Sequence, residues 1–218
     1  MNFYNLTKEE YLYQAGLRIN NSLGDNKVKT AVAGYGYSEE KLNEGLALLQ
    51  AAEKMYESQK KEYGDVDAAQ NEFAGAKKEA HTVYMVNLKI AQIAFKNDIQ
   101  AQSTLDLNTR RASTISGWLK QTLGFYHALL GNDNWKAAMG AFGITQEKLE
   151  AGLSMVEQVN AKAEKVKKEK GDAENATQLR DEKFEALHDW ISDYEEIARI
   201  ALADKPQLLE KLGIVVKN

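Results

Sequence analysis

Apolar residues recur every three or four positions along most of this chain, the period of a helix that buries one face. They stand at Leu42, Leu46, Leu49, Ala52 and Met55-Tyr56, and again at Leu149, Leu153, Val156, Val159, Ala163 and Val166. A further stripe follows Gly64: Val66, Ala69, Phe73, Ala76, Ala80, Val83-Tyr84, Leu88, Ile90-Ala91 and Ala94-Phe95.

These stripes repeat. Residues 36–46 read GYSEEKLNEGL and residues 143–153 read GITQEKLEAGL, an offset of 143 − 36 = 107. With that offset held and no gap, Gly64-Asp65 falls on Gly171-Asp172, His81 on His188, and Ile90-Ala91 on Ile197-Ala198. Of the 64 positions in 35–98, 18 are identical to their counterparts in 142–205, and a fainter match upstream sets Leu12 on Leu119 and Leu23-Gly24 on Leu130-Gly131. Self-similarity at a fixed period marks repeated structural units, so the chain reads as two tandem copies, 1–103 and 104–218.

Within each copy, cap and stop signals place the helices. Thr7-x-x-Glu10 is a capping box that opens a helix ending near Gly24; its partner is expected from about Thr109 to Leu130. Short helices follow at about 26–34 and 133–141, closed by Gly36 and Gly143, after which Ser38 and Thr145 are N-caps for long helices. Gly64 and Gly171, each followed by an aspartate able to cap a new helix, predict tight turns there, with third helices over about 66–101 and 173–203. A last short helix is expected from Gln207 to Leu212. The predicted fold is all-α: an antiparallel up-and-down bundle of two tandem copies with pseudo-twofold symmetry, packed as in a fused homodimer.

Composition agrees with helix. Proline occurs once, at Pro206, and hydrophobic residues at 44% with charged residues at 28% are typical of a folded globular chain. The absence of cysteine excludes disulfides, thiolate metal sites and thiol catalysis, and suits a cytoplasmic protein. The first ten residues lack a basic segment leading into an apolar one, so no secretory signal is expected, and no apolar run approaches the roughly 18 residues of a membrane span. A net charge of −4 argues against nucleic acid as the main partner, because that partner requires a concentrated basic face.

Candidate chemistry is sparse. Glu185-x-x-His188 is the i, i+3 pair that di-iron carboxylate bundles use, but the first copy has Lys78 ahead of His81 where the second carboxylate should stand. Glu185, His188 and His81 are therefore the only metal-ligand candidates, the set is incomplete, and packing is the expected role of the histidines, including His127. Lysines 162, 165, 167, 168 and 170 are interleaved with Glu164, Glu169 and Asp172 and read as a solvated helix end. Tyr11, Tyr13, Tyr35, Tyr37, Trp118, Phe125, Tyr126, Trp135 and Phe142 read mostly as core, with some left for a partner surface.

No phosphate-binding loop, dinucleotide-binding glycine fingerprint or nucleophile elbow occurs. The expectation is a non-catalytic structural or protein-interaction bundle, with no cofactor and a protein partner, either itself or another. The alternative is a bundle that binds a metal or small ligand in the interior between its long helices.

Overall fold

Side-chain caps start most of the helices in the computed structural model, which describes residues 6–215. Thr7 Oγ1 accepts from Glu10 N to open α1 (Lys8–Gly24), and Asp25 Oδ1 accepts from Lys27 N to open α2 (Asn26–Ala33). Ser38 Oγ accepts from Lys41 N at the start of α3 (Glu39–Ala94), and Asp98 caps α4 (Ile99–Thr104). The second series is α5 (Ile115–Leu130), capped by Thr114; α6 (Asp133–Gly140), capped by Asn132; α7 (Gln146–Ala201); and α8 (Pro206–Lys211). All regular structure among the described residues is helical, and no helix there is long and apolar enough to cross a membrane.

The bounds of α2, α3 and α4 reappear 107 residues later as those of α6, α7 and α8, and α1 and α5 likewise start 107 apart. Backbone conformation follows the same spacing. Gly36 and Gly143 have φ of 91° and 76°, and Asp106 and Gly213 have φ of 51° and 67°. Thr114, the counterpart of Thr7, therefore opens the helix that was expected from Thr109.

The expected turns at Gly64 and Gly171 are absent. Both glycines lie inside 56-residue helices, and neither has positive φ. An interior glycine costs a helix only about 1 kcal/mol relative to alanine, which is less than the loss of the backbone hydrogen bonds that a turn would interrupt. The apolar stripe also passes through the glycine in phase: Tyr56, Tyr63, Val66, Ala69 and Phe73 keep spacings of seven, three, three and four. What reads as two helices on either side of Gly64 is one.

Two units result, and they differ from the sequence copies divided at 103/104. The first unit holds the described residues up to Tyr63 and those from Asp172 onward; the second is Gly64–Gly171. Because α3 and α7 each contribute one half to each unit, a unit draws on both copies.

In the first unit, Tyr56 and Tyr63 of α3 meet Phe184 and Thr177 of α7, so numbers rise along one helix as they fall along the other. Tyr11 and Arg18 of α1 meet Phe184 and Glu195 of α7, rising together. Its core includes Ile19, Leu42, Leu49, Leu187 and Tyr194, closed at one end by Val28 and Val32 of α2 and Leu208, Leu209 and Leu212 around α8. In the second unit, Trp118 and Tyr126 of α5 meet His81 and Asn87 of α3, and its core includes Tyr84, Leu88, Phe125, Leu129, Met139 and Leu149.

Candidate functional site

The second half of α7 carries His188, Ser192, Glu195, Glu196 and Arg199, spaced four, three, one and three residues apart. That spacing puts all five on one stripe of the helix. In the first unit this stripe faces Tyr11, Gln14, Ala15 and Arg18 of α1 across a cavity of about 280 Å³, walled further by Leu6 and Ile191.

An ion pair lies at the inner end of the cavity. Arg18 is 2% exposed, and its Nε lies 2.6 Å from Glu195 Oε1. Arg18 Nη1 donates to the Gln14 carbonyl at 2.8 Å and to Gln14 Oε1 at 3.3 Å. Behind it, Ser22 Oγ donates to the Arg18 carbonyl at 2.7 Å and also meets the Tyr194 hydroxyl. Tyr11 is buried against Phe184 and the His188 ring, and this burial pushes its hydroxyl well above the usual tyrosine range, so it stays protonated at any physiological pH. At the rim, Arg199 Nη1 donates to the Val215 carbonyl at 3.0 Å.

The second unit fills the corresponding place with rings. At the 107-residue offset Arg18 corresponds to Phe125, Glu195 to Leu88 and Ile191 to Tyr84. Tyr84 and Phe125 are fully buried and pack edge to face with centroids 5.3 Å apart; Leu88 is buried in the same core. Polar contacts remain there: Trp118 Nε1, at the position of Tyr11, donates to His81 Nδ1 at 3.1 Å, Asn87 Nδ2 donates to the Tyr126 hydroxyl at 3.1 Å, and Arg111 Nη1 donates to the Tyr84 hydroxyl. The first unit thus has a buried ion pair at the offset positions where the second has Phe125 and Leu88.

No family model, curated protein or solved structure matches this chain. The site is therefore read from its own chemistry.

The metal-ligand candidates do not assemble into a ligand set. Glu185 is exposed and is not part of the cavity wall, whereas His188, three residues on, is half-buried and lines it. His81 belongs to the second unit. Among the described residues, no cluster of three or more His, Asp or Glu ligand atoms includes Glu185, His188 or His81.

His127 is exposed in the last turn of α5, so the packing role expected for it is not what the structure gives it. The lysine cluster is engaged: Lys162 and Lys165 reach Glu72 at 3.0 and 3.5 Å and hold its carboxyl below the usual range, while Lys167 pairs with Glu164. Of the aromatics read mostly as core, Tyr13, Tyr35 and Phe142 are exposed.

Sequence reasoning missed Arg18, Glu195 and the stripe around them. The signal was available: polar residues continue forward from His188 at the spacing of the buried stripe, where the positions 107 residues earlier are Met85, Leu88 and Gln92. Glu185-x-x-His188 runs the other way along the helix, away from the cavity.

Proposed function

We propose that this chain is a binding protein built from two diverged copies of one helical unit, and that its first unit holds a small polar ligand in the cavity between α1 and α7. The observation that carries this reading is the buried Arg18–Glu195 pair beside the cavity, set against Phe125 and Leu88 at the same offset positions. A buried ion pair is commonly no more stable, and often 1–4 kcal/mol less stable, than well-packed apolar residues of similar volume. The chain itself supplies the apolar solution in its second unit. Keeping charges in the first is accounted for by a polar occupant, since stability alone favours the rings.

Binding rather than catalysis fits these groups. A guanidinium is not deprotonated in a protein, and Tyr11 stays protonated. The up-and-down antiparallel bundle, the internal duplication, a cytoplasmic location and the lack of a nucleic-acid partner belong to the same proposal. The recurrence of helix bounds and left-handed positions at 107 residues supports the duplication.

A protein partner is a second reading, favoured by one observation. Tyr35 and Phe142, 107 residues apart, are 52% and 49% exposed, and Ile93 and Ile200, again 107 apart, are 58% and 56% exposed. Apolar surface kept at equivalent positions in both copies suits a partner that meets each copy alike.

The ligand reading is tested by purifying the native protein and the Arg18→Phe/Glu195→Leu variant side by side, denaturing both, and identifying the small molecules released by mass spectrometry. A polar compound released by the native protein and absent from the variant is the expected result. Indistinguishable profiles, together with no thermal stabilisation of the native protein by millimolar polar metabolites, would overturn it.

A further inference from the structure

The cavity of the first unit differs from an ordinary anion or cation site in carrying both signs in balance. Arg18 and Arg199 supply two positive charges, and Glu195 and Glu196 two negative ones, around one space of about 280 Å³. That volume lies just below the roughly 300–1,000 Å³ of sites for drug-sized ligands, so the occupant is small. Resting on the reading of this cavity as a ligand site, we infer that its ligand is a compact zwitterion of the free α-amino-acid class, with the carboxylate directed to guanidinium groups and the ammonium to the glutamates.

The charge balance carries the inference. A ligand with a single charge that enters this space meets an opposite partner and a like charge together. Its desolvation is then repaid on one side and opposed on the other. A zwitterion pairs with both. The groups on α7 are spaced for it: Glu195 and Glu196 precede Arg199 by four and three residues, which puts their Cβ atoms about 5–6 Å apart on one helix face. A carboxylate and an ammonium joined by one carbon bridge two such groups when each side chain turns inward. Guanidinium groups suit the carboxylate because their fork matches its two oxygens. The apolar part of the wall, Leu6 and Ile191, leaves room for a small aliphatic side chain.

Calorimetric titration of the full-length chain with free alanine, valine and leucine tests this, with two sets of single-charge analogues alongside. The N-acetyl derivatives keep only the carboxylate, and the amino-acid amides keep only the ammonium. At least one free amino acid is expected to bind, with both of its analogues weaker by tenfold or more. Glu196→Gln and Arg199→Gln, at exposed positions, are each expected to weaken binding about tenfold, with melting unchanged for Glu196→Gln and slightly lowered for Arg199→Gln, which loses the bond to the Val215 carbonyl. Equal binding of a free amino acid and either analogue would overturn the zwitterion inference.

So would binding unaffected by both rim variants. If none of the free amino acids binds while the Arg18→Phe/Glu195→Leu comparison still reveals a released compound, the zwitterion inference falls and the ligand reading stands. If neither experiment finds a ligand, both fall.

Discussion

Arg18→Phe places in the first unit the residue found at the corresponding position of the second. The change leaves the Glu195 carboxylate, whose side chain is only 15% exposed, without the guanidinium 2.6 Å away. Breaking a buried pair from one side costs about 3–5 kcal/mol, and the lower figure applies here because Glu195 lines a cavity that water can enter. For a chain of this length, about 3 kcal/mol corresponds to a fall in Tm of roughly 6–12 °C. Adding Glu195→Leu removes the orphaned charge and completes the Phe–Leu combination of the second unit.

The double variant is therefore expected to recover to within about 1 kcal/mol of the native protein, or to exceed it. Urea unfolding followed by tryptophan fluorescence measures this. Trp190 reports the first unit; Trp118 and Trp135 are replaced by phenylalanine to leave it the only emitter. A single-variant cost below about 1 kcal/mol, or a double variant no better than the sum of its singles, would refute the claim that the polar pair is a stability cost retained for another purpose.

Other outcomes follow from the packing. Gly45→Ala would drive a Cβ into the Trp190 ring, and Gly152→Ala one into the Tyr126 ring, so each should destabilise by about 1–3 kcal/mol in thermal melts. Gly64→Ala and Gly171→Ala meet no atom within 4 Å inside continuous helices, so each should raise stability by about 0.5–1 kcal/mol; a loss would restore the turn that the structure lacks. Burial pushes the Tyr126 hydroxyl up to about 12, against about 10 in the unfolded chain. The folded state thus holds the proton more tightly, and this stabilisation is complete below about pH 10 and is lost as pH rises toward 12, at about 1.4 kcal/mol per pH unit. Urea midpoints measured from pH 8 to 11.5 should show the decline, and Tyr126→Phe should make it shallower by one group's share, because burial also raises Tyr11, Tyr84 and Tyr194.

Much of the architecture was legible in residue order because capping is local. Thr7, Asp25, Ser38 and Asn132 each satisfy amides two or three residues away, and Gly36 and Gly143 stand where a left-handed turn is needed. The errors fell where local and longer-range signals compete. Gly-Asp at 64 and 171 has the chemistry of a turn, but the stripe from Tyr56 to Phe73 stays in helical phase across it, and the phase prevails. The helix expected over about 66–101 runs past the end of α3 into α4, because the break at residues 95–97 carries no proline or glycine.

The cavity was harder to see, because Arg18 and Glu195 are 177 residues apart. Nothing within either helix marks them as partners. Only the 107-residue offset, which sets Arg18 on Phe125 and Glu195 on Leu88, brings the two polar positions together.

The ligand reading requires that the polar cavity of the first unit take up a small molecule and that the corresponding residues of the second unit do not. Backbone amide NMR spectra of the labelled protein, recorded with and without a mixture of small amino acids and other polar metabolites, test it most directly. The account predicts shifts concentrated at Gln14, Arg18, His188, Ser192 and Glu195, with the corresponding residues Gln121, Phe125, His81, Met85 and Leu88 unmoved. Shifts of equal size in both sets, or shifts confined to the second, would contradict it.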